Sequence, residues 1–197
     1  MITYKIGNSL YLNITNACTC DCSFCVRNKP EGLSCGITLW LDQEPTVEEV
    51  LADIKKWDST ELHEFVFCGY GEPMIRTNDV LEICKRLKKN YSQPVRINTN
   101  GHGSLISGYD ITPELHGLVD SISISLNAKN GQDYQALCKS VYGEESYGAI
   151  IDFAIKCKSY VPEVVLSVVD VLPVEDIEAC RNLAEKIGVN FRVRHYG

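Results

Sequence analysis

The chain is short of positive charge: 19 Lys and Arg stand against 26 Asp and Glu, a net charge of −7 over 197 residues. Binding nucleic acid through its phosphates requires a basic footprint, so neither DNA nor RNA is an expected partner. No apolar run approaches the ~20 residues that cross a bilayer, and no membrane is expected. The N-terminus carries Lys5 but neither the apolar core nor the cleavage site of a secretory leader. Internal repeats, low-complexity tracts and linker-like stretches are missing as well, so one domain over residues 1–197, with nothing appended, is the expectation.

Cysteine is plentiful, with 10 residues. A secreted disulfide scaffold would be shorter and spaced differently, so a reducing cytoplasm is the expected setting. Cys68, Cys84, Cys138, Cys157 and Cys180 fall among apolar residues of predicted strands and helices, where a thiol acts as a small hydrophobe. Cys18, Cys22 and Cys25 differ: they are spaced C-x3-C-x2-C directly after the strand-like run Leu10–Thr15. Soft thiolates this close mark a metal site. Three of them suit three irons of a [4Fe–4S] cluster and leave the fourth iron free to meet a substrate or cofactor. Zinc is the competing metal, with Cys20, Cys35 or a His as fourth ligand.

The rest reads as alternating strands and helices. Extended pieces at 2–6 and 9–15 flank a Gly7-Asn8 turn. Residues 29–45 form a long connection with some strand character, expected to cover the substrate. Thr46-Val-Glu-Glu49 is a capping box, opening a helix with Val47, Val50, Leu51, Ile54 and Trp57 on one face. Strands follow at 64–68, 95–99, 121–127, 164–171 and 191–195, and helices at 78–89, 147–159 and 174–187, with a short one from Thr112-Pro113. Repeated β-α units imply a parallel sheet with right-handed crossovers. Six of them predict an α/β fold, a partial (β/α)6 TIM-like barrel. Period-2 alternation puts Arg96, Asn98 and Asn100 on one face, likewise Ser121, Ser123, Ser125 and Asn127, and likewise Arg192 and Arg194. Such polar rows suggest a wide lumen around a polar ligand rather than a packed apolar one.

Together these features resemble the radical S-adenosylmethionine (SAM) superfamily, whose signature is C-x3-C-x-aromatic-C after the first barrel strand; Phe24 is the aromatic here. In detail the chain is similar to the TatD-linked radical SAM proteins, at Leu10-Tyr-Leu-Asn-Ile-Thr-Asn16, Cys25-Val-Arg27, Leu39-Trp-Leu41 and Glu44-Pro45. The resemblance implies an enzyme in which Cys18, Cys22 and Cys25 ligate the cluster. SAM would chelate the open iron, and its reductive cleavage would give a 5′-deoxyadenosyl radical that abstracts hydrogen from a substrate, small molecule or protein. Phe24 would pack near the adenine. Gly69-Tyr70-Gly71-Glu72-Pro73 resembles the GGEP motif that binds the SAM amino group, with Tyr70 in place of its first Gly. Asn98, Asn100, Ser125 and Asn127 match ribose and carboxylate contacts, and Ser167 is a weaker match. Arg192, Arg194 and His195 are candidates for a substrate anion. A flavodoxin or ferredoxin would donate the electron, and no second C-x-x-C motif points to a further cluster. An electron-transfer iron–sulfur protein and a zinc-binding interaction module are the alternatives; neither needs a nucleotide pocket. His63, His102 and His116 have no evident partner in the sequence.

Overall fold

The computed structural model describes residues 1–28 and 38–196. Its first element is a hairpin, β1 (Thr3–Ile6) and β2 (Ser9–Leu12), turning through Gly7 at φ +58°. Among the described strands only this pair is antiparallel. β3 (Glu64–Phe67), β4 (Val95–Thr99), β5 (Ser121–Ser125), β6 (Glu163–Val169) and β7 (Asn190–Arg194) each add in parallel, so the sheet runs β1 to β7 in sequence order. An open, parallel-dominated sheet with crossover helices is the expected partial barrel, one hairpin strand larger.

The helices follow from local chemistry. Thr46 and Glu49 close the capping box that starts α1 (Val47–Ile54), which ends before Trp57. α2 (Thr77–Asn90) carries Val80, Ile83, Cys84 and Leu87 to the sheet. α3 (Gly103–Ser107) is a single short turn of helix, and Thr112–Leu115 is a 3₁₀ turn. α4 (Gly131–Cys138) begins where Asn130 Oδ1 accepts from the Asp133 N–H. α5 (Ser146–Cys157) and α6 (Val174–Ile187) complete the shell, and α6 stops at Gly188, which is left-handed at φ +72°.

The sheet has two unlike faces. Phe65, Phe67, Ile97, Ile122, Ile124, Leu126, Leu166 and Val168 are fully buried in the same apolar core as the inward residues of α2 and α5. Cys84, Cys157 and Cys180 lie in that core as small hydrophobes. The polar rows face the lumen. Their carboxyl-end members Asn98, Asn100, Ser125 and Asn127 share one cavity, while Arg96, Ser121 and Arg192 line a separate groove at the amino ends.

Residues 29–37, with Cys35, lie outside the described residues. Residues 38–45, expected to show strand character over the substrate, hold no strand and pack elsewhere. Asn13 Nδ2 donates to the Leu39 carbonyl at 2.7 Å, and the Asn16 amide both donates to and accepts from the Leu41 backbone. Leu39 is thereby seated in a satellite core with Tyr4 and Tyr70, and Trp40 meets the Tyr70 ring edge-on at 5.2 Å. Among the described residues no helix is long and apolar enough to cross a membrane.

Candidate active site

At the carboxyl ends of the strands lies a cavity of about 280 Å³. Cys18, Cys22 and Cys25 line it with Phe24, and so do Asn98, Asn100, Ser125, Asn127 and Arg194. Ligands of open α/β folds sit at this end of the strands. The loop that carries the cysteines is held from three sides. Glu72 N–H donates to the Ala17 carbonyl at 2.8 Å. The N–H groups of Asp21 and Ser23 donate to the Cys138 and Leu137 carbonyls, both at 3.0 Å, and Val141 N–H returns a bond to Thr19. Asn100 Nδ2 donates to Thr19 Oγ1 at 2.8 Å.

The donor set fits a thiolate-held cluster. Three soft thiols open on one cavity and two already receive N–H groups: Cys20 N–H to Cys18 Sγ at 3.4 Å, Arg27 Nε–H to Cys25 Sγ at 3.2 Å. Hydrogen bonds to sulfur are among the levers that set a cluster's potential. A hydrogen bond with Cys20, then burial, pushes the Cys18 thiol well up, and a contact with Cys138 does the same to Cys22. A bound metal's charge reverses such a shift. Among the described residues no three His, Cys, Asp or Glu are gathered closely enough for one ion. A cluster spreads its ligands over several irons and does not require that.

The Gly69–Pro73 turn has its close approach, but toward the chain itself. A Cβ on Gly71 would stand 2.4 Å from the Thr15 carbonyl oxygen and 2.5 Å from that of Ala17. Only glycine lets this turn lie against the start of the cysteine loop. Gly71 and Glu72 reach the cavity; Gly69, Tyr70 and Pro73 are not on its wall. Tyr70 departs from the motif because its side chain is spent in the satellite core with Tyr4 and Leu39. Buried Glu72 accepts from Thr99 Oγ1 at 2.7 Å, Asn100 N–H at 2.6 Å and Met74 N–H at 3.0 Å. Burial raises its carboxyl to about 7 while those donors pull it down. Its oxygens are occupied by the β4 exit, so it acts as a clamp.

The remaining sequence candidates separate by position. Ser167 is buried, donates to the Ile124 carbonyl at 3.4 Å and is not on the cavity wall. Arg192 lines the amino-end groove with Glu64, Arg96 and Glu163. His195 reaches the cavity rim, but its imidazole is 91% exposed and sits 2.7 Å from Asp170. Arg194 enters the cavity, donating from Nη2 to Ser125 Oγ at 3.1 Å and to Asn127 Oδ1 at 3.4 Å; burial lowers its pKa.

Sequence reasoning missed part of the wall: Cys20, Cys68, Tyr134 and Cys138 also line the cavity. Cys138 is buried in the apolar core as expected and also touches the cavity, whereas Cys68, expected as a core thiol, is half-buried on the cavity wall. Tyr134 and Cys138 come from α4, which periodicity alone did not reveal; its signal was Asn130 capping Asp133. His102, without an evident partner in the sequence, is fully buried between Thr19 Oγ1 at 2.8 Å and Tyr134 Oη at 3.2 Å, and burial lowers it to about 4. Tyr134 Oη in turn lies 3.5 Å from Cys20 Sγ.

The radical SAM superfamily model matches residues 12–187. A search of curated proteins finds no match. Among solved structures, a radical SAM methyltransferase from Sphaerobacter thermophilus aligns with 98% of this chain and 68% of its own at 15% identity and a TM-score of 0.69. Streptococcus suis SuiB bound to SAM aligns over 95% and 38% at 14% identity, TM-score 0.66, and methylornithine synthase over 96% and 53% at 14% identity, TM-score 0.65. The chain spans about half the length or less of the latter two.

Proposed function

The chain belongs to the radical SAM superfamily of enzymes, and from that premise we propose that its cavity binds a [4Fe–4S] cluster on Cys18, Cys22 and Cys25 and SAM beside it. When bound, the pair would supply radical chemistry for hydrogen abstraction from a substrate. The observation that carries the reading is the shared cavity: three C-x3-C-x2-C thiols facing the polar carboxyl ends of β4 and β5.

The chain's own residues have distinct roles in this reading. Phe24 offers an apolar face beside the cysteines. Asn98, Ser125 and Asn127 offer polar groups to the same cavity, and Gly71 brings the β3 exit against the cysteine loop. Asn100 fixes Thr19 and, through its Oδ1, the His102 N–H at 3.0 Å, so it positions the loop from the strand end. Arg27 holds Cys25 while also donating to the Asn16 and Cys20 carbonyls. Buried Tyr134 and Cys138, which also line the cavity, contribute to its withdrawal from water.

Within the superfamily we place the chain with the TatD-linked proteins, as one radical SAM core over residues 1–197 that takes its electron from a flavodoxin or ferredoxin in the cytoplasm. The placement is supported by the local contacts that the TatD-like motifs make. Asn16 holds Leu41, Arg27 holds Cys25, and Glu44 accepts from Thr15.

The test is anaerobic. The protein is reconstituted with iron and sulfide, reduced with dithionite and given SAM, with Cys22→Ala beside it. 5′-Deoxyadenosine from the wild type alone is expected; none from a protein with a full, reducible cluster would overturn the enzyme reading in favour of electron transfer, and zinc in the site would favour the interaction module.

A further inference from the structure

The last strand and its exit offer three basic side chains, and register along the barrel leaves one in the site. Arg192 faces two glutamates at the far end, and His195 lies on Asp170 in solvent. Arg194 is in the cavity with neutral partners only, Ser125 Oγ and Asn127 Oδ1, both on Nη2. Its Nε is buried and has no hydrogen-bond partner among the described residues. Among those residues, too, no carboxylate forms an ion pair with it. The other charges on or beside the cavity wall are occupied: Glu72 accepts three bonds, and Arg27 donates to Cys25 and two carbonyls.

A half-buried guanidinium without a counter-ion is costly, and its buried Nε–H without an acceptor adds to that. The missing counter-ion is supplied when a ligand brings an acceptor anion to the guanidinium from the cavity. A guanidinium edge presents N–H groups in the fork that a planar carboxylate fills.

We propose that Arg194 determines specificity for a substrate carrying a single carboxylate, which docks on its guanidinium from the cavity while Ser125 and Asn127 hold the side chain in place. The inference rests on reading the cavity as the radical SAM site and adds the chemical class of the hydrogen donor.

The test uses the cluster-reconstituted protein with matched probes: N-acetylglycine, N-acetylphenylalanine and benzoate, each against its primary amide, by saturation-transfer NMR with and without SAM. At least one carboxylate is expected to bind tenfold or more tighter than its amide, with SAM present. Arg194→Gln removes that preference while the Kd for SAM stays within about threefold. Arg194→Lys keeps the charge and loses the fork, so it weakens the carboxylate yet retains a preference, and it carries the test if the Gln variant does not fold. Iron content and thermal midpoint of each variant check integrity. No preference in a wild type that binds SAM overturns this inference and leaves the SAM reading standing. A tenfold loss of SAM affinity in Arg194→Gln also overturns it, because the carboxylate on Arg194 is then SAM's own. A preference that survives in a wild type unable to bind SAM upholds the anion site and removes the SAM reading.

Discussion

Replacing Glu72 with Gln should change how stability responds to pH, with a sign that distinguishes two opposed forces. Burial raises the carboxyl from an ordinary 4.5 to about 7, against the pull of the Asn100, Thr99 and Met74 donors. At about 1.36 kcal/mol per pKa unit that displacement is worth about 3 kcal/mol. Below pH 4.5 the group is protonated in both the folded and unfolded states and contributes no difference. Between 4.5 and 7 the unfolded chain sheds the proton while the folded one keeps it, so stability falls as pH rises. Above 7 the full penalty is present. Urea unfolding followed by tryptophan fluorescence from pH 4.5 to 8, on wild type and Glu72→Gln, isolates the term, since every other titrating group is common to both. The wild type should lose about 3 kcal/mol relative to the variant across that window. A wild type that gains on the variant as pH rises would refute the reasoning, because the three donors would then outweigh burial.

His102 gives the opposite limb: its pKa is lowered by burial to about 4, so its contribution is full above 6.5 and is lost as pH falls through 4; His102→Gln should flatten the acid side of the same curves. Gly71→Ala drives a Cβ into two backbone carbonyls and should cost roughly 2–3 kcal/mol, read from the urea midpoint, with poorer iron incorporation. Cys20→Ala should retain the iron and sulfide of the wild type, whereas Cys22→Ala loses them; equal loss from both would give Cys20 a ligand's role. Arg27→Ala removes the N–H on Cys25 and should lower the cluster's reduction potential by on the order of 50 mV in an EPR-monitored titration.

The barrel was legible because each strand's alternation reports a buried face directly: Ile122 and Ile124 against Ser123 and Ser125 needed no tertiary context. The cysteine loop was legible through spacing. Height along the barrel axis was not. Arg192 and Arg194 share a face, yet two residues of strand, roughly 6–7 Å, place one in each mouth. Tyr70 looked like a defect in a motif because its partners Tyr4 and Leu39 are remote in sequence. Cys68 looked like a core thiol because apolar neighbours dominate its segment; which side of the wall it faces depends on the sheet's curvature.

The stitching of the cysteine loop to the end of α4 bears on the order in which this protein is made. Cys20 and Tyr134 meet across 114 residues of chain, and the backbone bonds of Asp21 and Ser23 to Cys138 and Leu137 span a similar stretch. At typical synthesis speeds the three thiols leave the ribosome roughly ten seconds before the segment that shapes their loop. During that interval they are exposed, unshaped and open to oxidation or to the wrong metal. On the proposed cluster reading, iron is delivered after synthesis, and its yield follows how quickly α4 arrives to close the loop's far side.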